Sequence, residues 1–231
     1  MEQPETKLKN RTTNPRSSRN AGSGGEHRYI TPVNITLVAI NAAVYVILEI
    51  LGDTTDAYFM YLHGAMYPPA VLQMGEWYRL LTSAFLHFGL SHLLNNMVLL
   101  VCLGSYLERA YGKIRYLILY VVCALGSSAV SLWHMVYTDD MAVSGGASGV
   151  VFGTIGALLF LILKNRGRFE DLTMRRFLLM IVLCLYYGFS TAGVDNAAHV
   201  GGLICGFVCA VIFWILELPF RKKTQPHSKN R

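Results

Sequence analysis

Four side chains able to move a proton or donate a hydrogen bond stand inside otherwise apolar stretches of this chain: His92, Asn96, Ser148 and His199. Polar groups in such stretches are costly and call for a reason. A serine hydroxyl is a weak nucleophile until a base such as imidazole takes its proton, and the oxyanion formed on an attacked carbonyl needs donors. Ser148 and His199 fit nucleophile and base. His92 and Asn96, four apart and so on one helix face, supply donors beside the backbone N–H of Ser148. Taken singly, Ser148 reads as a helix N-cap and His199 as a core histidine bonded to a carbonyl. Their common depth favours acyl transfer.

That depth follows from the elements that carry them. With 53% hydrophobic and 15% charged residues and a mean hydropathy of +0.40, the chain is too apolar for an ordinary soluble domain. A span needs roughly 20 mainly apolar residues. Six candidate runs can be read: about Val33–Leu51, Ser83–Leu107, Tyr116–Val136, Ser148 to just before Lys164, Phe177–Thr191 and Ala197–Leu218. Counted up from Glu108, Lys164 and Glu217, the groups at His92, Ser148 and His199 reach one level, roughly 25 Å high at ~1.5 Å per residue. Because the hydrocarbon core is about 30 Å thick, water must enter a cavity from outside.

Glycines make such a site feasible. In Ser144-Gly145-Gly146-Ala147-Ser148-Gly149, Gly146 lets a re-entrant loop bend and a substrate backbone approach, and it joins His92 and Asn96 as an oxyanion and substrate position. Gly149, Gly153 and Gly156 on the fourth run and Gly202 and Gly206 on the sixth give each a small face. Contact between those faces brings Ser148 toward His199.

Every Lys and Arg except Arg79 falls in the N-terminal tail, the even-numbered turns or the C-terminal tail, which places both termini on the cytoplasmic face. This distribution accounts for the net charge of +6 better than a nucleic-acid partner does. The expected organisation is a disordered basic tail over 1–28, an all-α integral membrane domain of six helices over 29–219 and a basic tail over 220–231. With no apolar run near Met1, the first span is expected to be an uncleaved anchor. The long segment Gly52–Thr82, rich in Tyr and Trp, reads as an interfacial loop with short amphipathic turns. Trp77 and Arg79 are read as interface anchors, Glu108 as fixing a helix end, and His87 as making a structural hydrogen bond near the loop. His63 reads as solvated loop, and His27, His134 and His227 have no evident partner. The five cysteines are odd in number, lack C-x-x-C spacing and read as packing residues.

Set in order, these residues resemble the rhomboid family of intramembrane proteases. The nucleophile motif G-x-S-G is Gly146-Ala147-Ser148-Gly149, and the base motif A-H-x-x-G-x-x-x-G runs from Ala198-His199 through Gly202 to Gly206. H-x-x-x-N is His92 to Asn96, preceded by His87; W-x-R is Trp77-Tyr78-Arg79; and G-x-x-x-E-x-x-x-G is Gly104, Glu108 and Gly112. The resemblance covers about residues 30–218. It implies a six-helix rhomboid-like bundle with a long loop between its first two helices, and a Ser–His dyad without aspartate that cleaves transmembrane protein substrates in or near their spans. It implies no metal and no organic cofactor. Where several members have tyrosine this chain has Phe152, able to pack on the His199 ring without donating a hydrogen bond. A compact chain of this kind fits a bacterial plasma membrane. The rival reading is a catalytically silent relative that binds membrane clients; a transporter is disfavoured by the lack of an evident inverted repeat. Substrate identity and oligomeric state are not legible.

Overall fold

The computed structural model describes residues 30–190 and 193–223. A helix lies over each of the six apolar runs: α1 Pro32–Leu51, α5 Leu90–Tyr111, α6 Lys113–Thr138, α7 Ser148–Lys164, α8 Met174–Ser190 and α9 Asn196–Lys223. Four of the helices, α1, α5, α6 and α9, are long and apolar enough to cross a membrane. Helix α7 is apolar but only 17 residues long, which at ~1.5 Å per residue falls short of a full crossing. Between α1 and α5 lie three short helices, α2 Ala57–Leu62, α3 Pro68–Leu72 and α4 Arg79–Thr82, and a 3-10 turn at Ser83–Phe85. A two-residue antiparallel pair, β1 Arg168–Phe169 with β2 Leu172–Thr173, departs from the all-helical expectation. Helix α9 runs to Lys223, into the expected C-terminal tail; the rest of both tails, with His27 and His227, lies outside the described residues.

One run starts later than expected. The helix over the second run begins at Leu90 rather than near Ser83, because Gly89 holds a positive φ of +84° that breaks helical continuity. The stretch Leu86–Gly89 is thereby left non-helical beneath the nucleophile loop.

The interior joins a large apolar cluster, with Leu100, Leu107, Leu119, Ile155 and Leu158 fully buried, to polar and small side chains that set the closest contacts. Helix α1 buries one stripe, Asn34, Leu37, Asn41, Tyr45 and Leu48, while Ile35, Ile40, Val46, Ile47 and Ile50 face outward, as a lipid-facing surface requires. Asn34 donates to Leu100 O at 2.9 Å and accepts from the Tyr116 hydroxyl at 2.7 Å. Gly104 makes this possible, since a Cβ there would collide with both Asn34 and Tyr116. Asn41 donates to Leu37 O and to the Tyr120 hydroxyl. Glu108, buried near the end of α5, accepts from the N–H groups of Val33 at 3.1 Å and Asn34 at 2.7 Å. Those amides have no partner inside α1, and a carboxylate there also meets the positive end of the helix dipole. The expectation that Glu108 fixes a helix end is met on a helix other than its own.

Around the same end of the bundle Arg109 pairs with Glu170 at 2.7 Å, Arg115 pairs with Glu217 at 2.5 Å, and the Tyr106 hydroxyl donates to Asp171 at 2.5 Å. Helix α7 is central, with 12 of its 17 residues buried. It meets α9 backbone to backbone: a Cβ on Gly202 would strike Gly149 O, one on Gly206 would strike Gly153 O, and one on Gly156 would strike Leu203 O.

Arg79 differs from its expected role. Only 4% exposed, it donates to Glu76 at 2.5 Å, Tyr61 O at 2.6 Å and Ala65 O at 2.9 Å, and lies over the Tyr61 ring. It ties the long loop together from within, whereas Trp77 is 56% exposed. Arginine suits this task because its planar fork reaches several acceptors at once.

Two substitutions test the packing. Glu108→Ala leaves one buried N–H group, that of Asn34, and one part-buried, that of Val33, without their acceptor; the buried one alone is worth about 1–3 kcal/mol, so the thermal midpoint of the purified protein in detergent falls by several degrees, and Glu108→Gln recovers part of the loss. Gly206→Leu forces a side chain into the Gly153 backbone, beyond the about 1–3 kcal/mol of ordinary overpacking. It elutes as aggregate in size-exclusion chromatography, while the outward Val208→Leu elutes like the parent protein.

Candidate active site

The loop before α7 is held from below by the segment that precedes α5. Gly146 N donates to Ser83 O at 2.8 Å, and Ala147 N donates to His87 Nε2 at 3.3 Å. His87 is buried and makes the structural bond expected of it. Gly146 has φ +136°, a conformation that favours glycine, and a Cβ there would lie 2.7 Å from the His92 ring and 3.8 Å from Asn96 Nδ2. The absence of a side chain at 146 therefore lets the His92 ring pack directly against the loop backbone, with Asn96 Nδ2 close by. The His92 ring in turn meets the His87 ring edge-on at 5.2 Å.

Ser148 opens α7 and is half-buried. The first-turn amides of a helix lack partners within it, so its N–H points where an anion is welcome. Phe152, one turn further on the same face, stacks on the His199 imidazole with centroids 4.1 Å apart and planes 11° from parallel. His199 lies in the first turn of α9 and is buried, with Nδ1 unpartnered. A Cβ at Gly149, next to the serine, would come within 3.6 Å of Ala198 O, next to the histidine. The glycine seam and the stacked ring thus hold the two chain segments side by side. Among the described residues Ser148 and His199 share no direct hydrogen bond.

All five residues singled out in the sequence, His92, Asn96, Gly146, Ser148 and His199, therefore converge. Asn96 is 5% exposed and its Nδ2 is buried without an acceptor. A donor left unpaired in a buried place has already lost its water, so it is poised for an acceptor that arrives later. Among the described residues no group of three His, Cys, Asp or Glu is placed to hold a metal ion. An open cavity of about 580 Å³, lined in part by Arg168, Arg175 and Arg176, involves none of the five.

Sequence reasoning missed Asp195. Its Oδ1 accepts from Ala198 N at 2.9 Å, and its Oδ2 accepts from Ser144 Oγ at 2.7 Å and from Ser131 Oγ. The available signal was an aspartate immediately before an apolar helical run, an N-cap position. His63 also does more than face solvent, its ring packing against Phe59 at 4.2 Å and a 40° tilt.

Residues 74–216 match the family model described as the Rhomboid domain. The chain is 36% identical over 173 residues to the rhomboid protease GluP of Bacillus subtilis (strain 168), covering 75% of this chain and 33% of that protein. It is 40% identical over 141 residues to RHOMBOID-like protein 5 of Arabidopsis thaliana, covering 59% and 44%. It is 30% identical over 212 residues to the rhomboid protease AarA of Providencia stuartii, covering 82% and 75%. The chain thus spans about a third of the first relative and under half of the second. The family match takes in every one of the five convergent residues, and the likeness to AarA runs through three quarters of that protein, so this chain, a multi-pass membrane protein, belongs to the rhomboid family.

Proposed function

We propose that this chain is an intramembrane serine protease that cuts transmembrane protein substrates in or near their spans through a Ser148–His199 dyad. The observation that carries the reading is the stack of Phe152 on His199, with α7 and α9 in backbone contact just beside it. In this reading α1 and α5 to α9 form a six-helix transmembrane bundle, both termini are cytoplasmic, the site opens to the outer side, and the host is a bacterial plasma membrane. The short α7 starts below the outer surface, which leaves room for water above Ser148.

The substrate span unwinds locally and presents an extended peptide bond, because a carbonyl bonded within a helix is shielded from attack. His199 accepts the Ser148 hydroxyl proton as Oγ adds to the carbonyl carbon. The resulting oxyanion takes hydrogen bonds from Asn96 Nδ2, His92 and the Ser148 N–H. Gly146, without a side chain, lets the His92 ring sit against the loop that leads to Ser148. His199 then gives its proton to the departing amine, leaving an acyl-enzyme on Ser148, and water repeats the sequence to release the acid. Phe152 fixes the plane of the imidazole by stacking.

Reaction with a fluorophosphonate and cleavage of a fluorescent single-span reporter test this. Ser148→Ala and His199→Ala abolish both, with the thermal midpoint retained; cleavage that survives Ser148→Ala dismisses the assignment, and a folded parent protein inert to both reagents points to the client-binding alternative. Asn96→Ala removes one oxyanion donor and lowers kcat by about 10²–10³ with little change in KM.

A further inference from the structure

Asp195 does more than cap a helix. A cap needs one carboxylate oxygen, and Oδ1 supplies it to Ala198 N. The second oxygen collects two hydroxyls from elsewhere: Ser131 Oγ on the neighbouring α6 and Ser144 Oγ on the loop that leads to Ser148. Ser144 is four residues before the nucleophile, and Asp195 is four before the base. Ser144 is also paired through its backbone with Met66 of the long loop, N to O at 2.8 Å and O to N at 2.9 Å.

The glycine seam fixes α7 against α9 from Gly149 and Gly202 downward. Above it, the Gly145-Gly146 loop and the first turn of α9 extend past the seam; Ser83 and His87 hold the loop from below, and the Ser144–Asp195 bond ties it to the start of α9. We infer that Asp195 is a positioning residue: its carboxylate clamps the Ser144 loop to the start of α9 and so sets the separation of the Ser148 hydroxyl and the His199 imidazole. It touches neither substrate nor reacting atoms. Through the Met66–Ser144 pair, the clamp also joins the long outer loop to the dyad. The inference rests on the protease reading above. It matters for rate because an error of about 1 Å in the approach of reacting groups costs about 100-fold.

The test uses the full chain in detergent with the single-span reporter and a fluorophosphonate, comparing Asp195→Ala, Asp195→Asn, Ser144→Ala and the double Asp195→Ala/Ser144→Ala. Asp195→Ala lowers kcat and the labelling rate by about 10- to 100-fold with KM within about twofold. Ser144→Ala removes one hydroxyl and lowers kcat by about tenfold at an unchanged thermal midpoint, and the double variant is no slower than Asp195→Ala alone. Asp195→Asn, which keeps a capping oxygen and can donate to both hydroxyls, restores much of the rate. Hydrogen exchange in residues 144–148 rises in Asp195→Ala and Ser144→Ala. Wild-type kcat in Ser144→Ala, or losses that add in the double variant, overturns the clamp. If the parent protein and Ser148→Ala are equally inert to both reagents, the protease reading falls, and exchange in 144–148 that is unchanged in Asp195→Ala then overturns the clamp as well.

Discussion

The contact on which the rest of this molecule depends is the meeting of two backbones along Gly149, Gly153 and Gly156 of α7 and Gly202 and Gly206 of α9. In lipid there is little hydrophobic drive between helices, so close van der Waals contact must hold them, and only small residues permit it. The same closeness has a functional side. With carbonyl oxygens of one helix lying where a Cβ of the other would be, the two helices have almost no freedom to slide. A serine at the head of one and a histidine at the head of the other then inherit a fixed relation, and the ring of Phe152 fills the remaining space against the imidazole.

Much of this was legible because glycine spacing and isolated polar residues are strong signals inside apolar runs. The Glu108 helix-end role follows from such signals, while the packing of Phe152 on His199 was implied by the family resemblance. What escaped was the set of partners. Asn34 and Asn41 look like tolerated polar residues in a span, and nothing local shows that the first meets Tyr116 and the second Tyr120, some 80 positions away. Asp195 is the same case: its cap is local and readable, while its bonds to Ser131 and Ser144 depend on how three elements are brought together.

Arg79 and the start of α5 show two further limits. Charge statistics treat every arginine at a membrane boundary alike, but this one turns inward to carbonyls of Tyr61 and Ala65 that no sequence pattern marks as unsatisfied. Hydropathy likewise placed the helix start near Ser83, since Ala84, Phe85 and Leu86 are as apolar as any span. The chain instead makes a 3-10 turn over Ser83–Phe85, runs extended at Leu86 and begins α5 only after Gly89, and Ser83 and His87 in this stretch form the floor on which the loop of Gly146 rests.

The cap that Glu108 provides to α1 bears on how the chain is made. The amide of Val33 and its acceptor are separated by 75 positions in sequence. At the usual pace of synthesis, about 5–20 residues per second, roughly 4–15 s pass between the two leaving the ribosome. During that interval the first turn of α1 has to keep its amides in contact with water or lipid headgroups. Helix α1 therefore enters the bilayer ahead of its permanent partner and is locked at its final depth only after α5 has followed.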